Sequence, residues 1–220
     1  MRADMKSEDV ARYLHDHPEF FDQYAEVLAL ITLPDPHNGR AVSITERQLF
    51  NLRDKVRALE AKLVELIGFG EENDAIANKV HGLAVALIAA TNQAGVMRAL
   101  YSHLGGAFAV PHVTLRLWAA GQGDGHEFDP VDDAVKAFAS SLQRPYCGTA
   151  SGQESLAWFG DAATHLRSMT QVPLRESGGT CFGLLVLASE EPHRFYPELG
   201  TLYLERIGEM ASSALLRVAV

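Results

Sequence analysis

A heptad pattern in the first third of the chain constrains its fold more than any other feature. Steps of three and four residues alternate without a slip, which is the a/d spacing of a coiled-coil seam. A helix with such a stripe needs a partner to cover it, and the simplest partner is a second copy of the same helix. The pattern runs through Val42, Thr45, Leu49, Leu52, Val56, Leu59, Leu63 and Leu66. We therefore predict a dimerising helix with its contacts at the apolar members of this pattern.

A second interpretation covers the same stripe within one chain. Two short helices are predicted before it, one starting near Ser7 and one after Pro18, and the second is rich in aromatic residues. Helices this short are not stable alone and need a surface to pack on. Both arrangements are compatible, since the short helices can lie on the outside of a paired coil. Ser43 and Glu46 form a capping box at the start of the long helix.

Composition narrows the classes of protein. The chain has 220 residues, 47% of them hydrophobic, which suits one domain of ordinary size with a helical extension. It contains no run of about 18 apolar residues and no secretory signal, so we expect neither a membrane span nor export. Two cysteines do not make a secreted disulfide framework, and a cytoplasmic location is expected. A net charge of −9 argues against a nucleic-acid partner.

The remainder of the chain is typical of an α+β domain. Gly68 and Gly70 mark a soft joint in the long helix, after which the helical period resumes. The predicted order is helix 96–104, strand 113–118, helix 132–142, strands 168–174 and 180–188, and helix 196–217. This order fits an antiparallel sheet with the terminal helices on one face. The predicted parts are short helices and a Pro-rich linker (1–41), a coiled-coil dimerisation helix (42–74) and the α+β domain (75–220).

Several short motifs carry a family resemblance. They are Val10–Leu14, His17–Phe21, Leu33-Pro34 with His37, Val42–Gln48, Leu52-Arg53, Tyr146–Gly148, Gly183–Ser189, Arg194-Phe195 and Gly200-Thr201. On these residues the chain resembles bacterial proteins of domain-of-unknown-function family 484, which carry a helical N-terminal extension on a GAF-like fold. The resemblance implies this architecture and a regulatory role, and it supplies no catalytic residues.

The resemblance also implies a ligand site. GAF-like domains bind small molecules on the sheet face opposite the terminal helices. Because successive side chains of a strand point to opposite faces, Arg116 and Trp118 would both lie on that face. Arg116 would anchor an anionic group. The pocket would be lined further by Tyr146, Cys147, Trp158 and Phe159. The alternative is that these aromatic residues are core and that Arg116 pairs with an acid between Asp129 and Asp133.

Other chemistry finds little support in the motifs. Some GAF-like proteins are thiol-based methionine sulfoxide reductases, which would give Cys147 a catalytic role. Inert, buried cysteines are the better account of Cys147 and Cys181. The nine histidines do not fall at metal-ligand spacing, and no dinucleotide or hydrolase motif is present in its required context. We predict no metal, no cofactor and no catalytic residue.

These observations favour a non-enzymatic, cytoplasmic signalling module in which a GAF-like, small-molecule-sensing domain is coupled to a dimerising helix. The expected partners are a second copy, a small-molecule ligand and a further protein. The first alternative is a ligand-free dimeric scaffold that recruits a protein through its N-terminal helices. A weaker alternative is the thiol redox enzyme.

Overall fold

The computed structural model describes residues 6–30, 32–34, 41–121, 123–197 and 200–219, without the side chains of 28–30, 32–34 and 41–46. The chain divides into two compact units, Met1–Glu71 and Glu72–Val220. We call the second unit the sheet domain. One helix, α4, contributes residues to both units.

The first unit begins with three short helices and a two-stranded hairpin. Its elements are α1 (Ser7–Asp16), α2 (Phe20–Gln23), α3 (Ala25–Leu30), β1 (Thr32–Pro34) and β2 (Ala41–Ser43). The helix predicted after Pro18 is broken at Tyr24. Residues 33 and 34, predicted to lie in a linker, form a strand instead, and Leu33 pairs with Val42. His37 lies outside the described residues.

The long helix α4 (Ile44–Ala89) has 46 residues and runs without interruption through Gly68 and Gly70. Each of these two glycines costs about 1 kcal/mol relative to alanine, which the neighbouring turns of good helix formers tolerate. The predicted heptad pattern begins before the helix does. Val42 lies in β2, and its side chain, like that of Thr45, lies outside the described residues.

The sheet domain contains four antiparallel strands in the order β3-β6-β5-β4. They are β3 (His112–Leu117), β4 (Tyr146–Thr149), β5 (Ser168–Arg175) and β6 (Cys181–Ser189). The central strand β6 is buried along all of its residues. Strands β3, β5 and β6 confirm the predicted strands, whereas β4 was not predicted because four residues with a glycine give no readable alternation.

Among its described residues, the sheet domain also contains three further helices, a π-helical turn and two 3-10 segments. They are α5 (Gln93–Ser102), a π-helical turn (His103–Ala107), 3-10 segments (His126–Phe128 and Glu154–Thr164), α6 (Asp133–Ser141) and α7 (Leu202–Val218). Helix α7 starts later than the predicted Tyr196. The Arg217 guanidinium on α7 donates hydrogen bonds to the carbonyls of Leu87 and Ile88 in the last turn of α4 and of Ala90 just after it.

Two apolar cores lie on the two faces of the sheet. On one face, the end of α4 packs with α5 and α7 against the strands, through Val80, Leu83, Leu100, Ile207, Leu215, Leu115 and Leu187 among others. On the other face, α6 and residues 154–164 cover Met169, Leu184, Val186 and Ala188. The predicted α+β class, an antiparallel sheet with the terminal helices on one face, is confirmed.

Candidate functional site

The a/d stripe on α4 is exposed and apolar. Leu52, Leu59 and Leu63 are exposed to 60%, 64% and 58%, and Leu49, Val56 and Leu66 are exposed to about half. Leucine side chains left in water at this spacing forgo about 1.5–3 kcal/mol each relative to full burial. Among the described side chains, the structure therefore presents every predicted seam residue on the surface of its own chain.

Arg116 lies on the sheet face opposite α4, α5 and α7, as the alternation of β3 predicted. The whole residue is only 8% exposed. One of its terminal nitrogens donates to the Thr114 hydroxyl and to the Leu115 carbonyl, both at 3.2 Å. The other lies 3.5 Å from a carboxylate oxygen of Asp129. The positive charge is therefore already paired, by an acid from the cluster that the alternative interpretation named.

The aromatic residues predicted to line the site share this face. The Trp158 ring lies 5.2 Å from the Arg116 guanidinium carbon, a cation–π contact. The Trp118 indole donates a hydrogen bond of 2.9 Å to the Cys181 carbonyl. Phe159 packs edge-on against the His112 ring at 6.1 Å. These three aromatic residues thus lie on the same face as Arg116, and these contacts are all with other residues of the chain.

The side chains of Tyr146 and Cys147 lie on opposite faces of the sheet. Both belong to β4, where successive side chains point to opposite faces. Tyr146 pairs across the sheet with Gln171, on the face of Arg116, and its ring packs edge-on against Phe138. Cys147 pairs with Thr170, in the same cross-strand row as Leu187, on the face that α5 and α7 cover. The placement of Cys147 beside the other five residues is therefore wrong, because the strand that carries it went unrecognised.

Both thiols are buried and hydrogen-bonded. Burial raises the pKa of the Cys147 thiol, while its hydrogen bond to the Thr170 hydroxyl at 3.4 Å acts in the opposite direction. Burial likewise raises the pKa of Cys181, which lies in the core on the other face of the sheet. A redox thiol needs a lowered pKa and access to solvent. Neither cysteine has these properties.

The sheet face that carries Arg116 also borders a cavity that the sequence did not indicate. About 290 Å³ of space lies between α6 and residues 152–155, above Gln171 of β5. Gln171 and Ser155 are each 1% exposed. Neither residue belongs to a recognisable sequence motif. The available signal was the glutamine at position 171, the one amide side chain inside a strand whose inner positions are otherwise small or apolar.

The Gln171 amide is fixed by two hydrogen bonds. Its carbonyl oxygen accepts from the Ser155 hydroxyl at 3.0 Å, and its amide nitrogen donates to the Gln153 side-chain oxygen at 2.9 Å. A second cleft, of about 510 Å³, lies at the end of β3 and is lined by Trp118, Asp129 and Lys136 among others.

Within the part of the chain that the structure describes, no helix combines the length and hydrophobicity needed to cross a bilayer. Among those same residues, no three His, Cys, Asp or Glu side chains lie close enough together to hold a metal ion.

Comparison with known proteins gives the family. Residues 2–219 match the family described as "Protein of unknown function, DUF484", and the chain belongs to that family. The predicted family resemblance is confirmed. The chain is 25% identical over 220 residues to the uncharacterized protein YigA of Salmonella typhimurium strain LT2, covering 94% of this chain and 90% of that protein.

Solved structures with some likeness cover about two thirds of the chain. One is the nlh2 GAF domain of A. aeolicus in an inactive state, with a TM-score of 0.48 and 14% identity over 64% of this chain and 96% of that one. Another is the free methionine-R-sulfoxide reductase of Neisseria meningitidis in complex with its substrate, with a TM-score of 0.48 and 18% identity over 66% of this chain and 92% of that one. A third is the GAF domain of the potassium sensor histidine kinase KdpD of Escherichia coli, with a TM-score of 0.39 and 19% identity over 64% of this chain and 94% of that one. All three TM-scores are below 0.5.

Proposed function

We propose that the protein is a non-enzymatic, cytoplasmic regulatory module in which two copies pair through α4 and the GAF-like sheet domain senses a small molecule. The observation that carries this proposal is the exposed a/d stripe of α4. A 46-residue helix whose regularly spaced leucines remain in water within its own chain has an energetic reason to find a second helix.

The residue types along the stripe favour a coiled coil of two parallel helices. The d positions 52, 59 and 66 are all leucine, and the a positions alternate leucine with β-branched Val56, a pattern that parallel dimers accept. In a parallel pair, a residue at position g faces the residue five places further along the partner helix. Lys55 would then face the partner's Glu60, an attractive pair beside the seam.

Continuity of α4 offers a route from the sheet domain to the seam. The last third of the helix supplies Val80, Leu83 and Leu87 to the core that also contains the helix-facing side of the sheet. A ligand that changes the packing of this core also changes the environment of α4. Because packed cores switch between discrete arrangements rather than deforming smoothly, such a change can bias how the two helices pair.

Burial of both thiols favours the non-enzymatic assignment. At neutral pH a thiol of raised pKa is protonated and a poor nucleophile, so Cys147 is unsuited to attack a sulfoxide. The two cysteines also lie on opposite faces of the sheet, where neither can resolve an oxidised form of the other.

A second candidate function is a ligand-free dimeric scaffold. The specific observation in its favour concerns Arg116. Its positive charge is already paired with Asp129, and its guanidinium already packs over the Trp158 ring. In this case α4 pairs as before, and the N-terminal helices recruit another protein. Exposed Tyr13 and Tyr24 would contribute to that surface.

Native mass spectrometry of freshly purified protein tests both proposals together. A mass of twice 24.0 kDa plus a small-molecule increment supports the sensing dimer. A dimer without any increment, including after incubation with cell extract metabolites, favours the scaffold. A monomer at every concentration contradicts both.

A further inference from the structure

The cavity between α6 and residues 152–155 has the composition of a binding site. It is lined by Ala134, Val135, Phe138, Gly152, Gln153, Glu154, Ser155 and Gln171. Its volume of about 290 Å³ is at the lower end of the range of ligand pockets, which suits a molecule the size of a single ring with one substituent.

One side of the cavity is polar and held in place. Gln171 is 1% exposed, and both ends of its amide are engaged, by Ser155 and by Gln153. Each amide nitrogen carries two N–H groups, and the bond to Gln153 uses one of those on Gln171. Gln171 and Gln153 both line the cavity and keep further N–H groups beyond this bond, so a ligand that brings an acceptor oxygen is favoured.

The other side of the cavity is apolar and accepts a flat group. Phe138, Val135 and Ala134 come from α6, and the Phe138 ring is oriented by its edge-on contact with Tyr146 at 6.2 Å. An aromatic or conjugated ring packs favourably against such a wall.

Charge decides between ligand classes. No Lys, Arg or His side chain is among the residues that line the cavity, and the one ionisable group, Glu154, belongs to an exposed residue. An anion entering the cavity would lose its hydration without meeting a cation, which is costly. This distinguishes the cavity from the surroundings of Arg116, where an anionic ligand was predicted.

We propose, resting on the sensing role above, that this cavity binds a small, uncharged, planar molecule with a carbonyl or carboxamide group. Its oxygen accepts hydrogen bonds from the amides of Gln171 and Gln153, and its ring packs on Phe138. The ligand site is therefore centred on Gln171 rather than on Arg116.

Three probes of one shape test the ligand class. Benzamide is neutral, benzoate is its anionic counterpart and benzamidinium is its cationic one. We expect benzamide to bind with a Kd on the order of millimolar, as its small size allows, and to shift the backbone NMR signals of residues 152–155 and Gln171. Benzoate should bind at least about tenfold more weakly because no cation lines the cavity. Benzamidinium should bind at least about tenfold more weakly because it has no acceptor oxygen for the glutamine amides and the exposed Glu154 is screened by solvent. Equal or tighter binding of either ion overturns the proposal.

Variants locate the binding. Ala134 is exposed on α6, so Ala134→Phe should fold normally while filling the cavity, and it should abolish benzamide binding. Ala137→Phe, also exposed on α6 but away from the cavity, is the matched control and should leave binding unchanged. Gln171→Met should weaken benzamide binding by about tenfold through the lost donor. Unchanged affinity in Ala134→Phe overturns the proposal even where Gln171→Met fails to fold.

The outcomes separate this proposal from the proposed function. Dimer mass is measured without any probe, so a dimer that ignores benzamide contradicts the cavity assignment alone. A monomer that binds benzamide as described contradicts dimerisation and leaves the cavity assignment in place.

Discussion

Arg116 illustrates how a buried charge is compensated in this protein. Its guanidinium is almost fully buried, and its partners are a hydroxyl, a backbone carbonyl, the Trp158 ring and the half-exposed carboxylate of Asp129. Burying a cation is tolerated only when such groups replace the lost water. Arg116 is thus explained by its own surroundings, without a ligand.

Replacing Asp129 should therefore destabilise the sheet domain. We expect Asp129→Asn to lower the free energy of unfolding by about 1 kcal/mol, a modest value because the carboxylate is half exposed and screened by solvent. Urea denaturation of the two proteins measures the difference. Asp124→Asn, exposed in the same loop, serves as the control and should have no effect. A loss of stability in the control equal to that in Asp129→Asn would show that the pairing with Arg116 is not the cause.

The cysteines make a second prediction at the scale of residues. Because burial raises the pKa of Cys147 and Cys181, the native thiols should react with Ellman's reagent far more slowly than the same thiols in urea. As the unfolded state releases its thiol protons at a lower pH than the folded state, stability should fall as pH rises above the ordinary thiol pKa of about 8.5. Rapid labelling of native protein at pH 7 would contradict this account.

Sequence alone placed individual residues well where a strand was recognised. The alternation of β3 put Arg116 and Trp118 on the correct face, because five or six residues suffice to show a period of two. It misplaced Cys147, because four-residue β4 shows no period. The Gln171 cavity was beyond prediction, since it depends on contacts between β5 and a segment that precedes it by some fifteen residues.

At the scale of elements, the close approach of α7 to the sheet depends on Gly208. A Cβ atom at this position would lie 2.7 Å from a methyl carbon of Val172 on β5. Real Cβ contacts are essentially never this short, so a larger residue here requires a shift of the helix or of the buried Val172 side chain. The glycine is needed for packing, and its backbone conformation is ordinary for a helix.

Gly208→Ala should consequently destabilise the sheet domain by about 1–3 kcal/mol, the usual cost of overpacking a core. Gly82→Ala makes the same chemical change in α4, where nothing lies within 4 Å of the added Cβ. This control should stabilise the protein by up to about 1 kcal/mol, because alanine is the better helix former. Thermal unfolding of both variants decides the matter, and a stabilised Gly208→Ala would contradict the described packing of α7 on β5.

Elements with a clear local signature were predictable, and those set by tertiary contacts were not. Helix α6 and the β5–β6 hairpin carried periodic apolar residues and a Ser177-Gly178-Gly179 turn, and the structure has them close to the predicted bounds. The start of α7 was set too early, since Tyr196 fits the helical pattern but the helix begins at Leu202. The hairpin of β1 and β2 gave no signal in its three-residue strands.

On the scale of the whole molecule, the account depends on what covers α4. The sheet domain has two buried cores of its own. In the first unit, by contrast, the described side chains include no buried residue, and the stripe leucines of α4 are 47–64% exposed. Under the proposed function, a second copy would cover these leucines.

Sedimentation velocity over a range of concentrations tests this claim most directly. The wild-type protein and the Ala61→Glu control, altered at an exposed position off the a/d stripe, should sediment as dimers of about 48 kDa, twice 24.0 kDa. Leu59→Glu, which places a charge in the seam, should sediment as a folded monomer. A wild-type protein that stays monomeric at high concentration, or a Leu59→Glu variant that remains as dimeric as the control, would contradict the account.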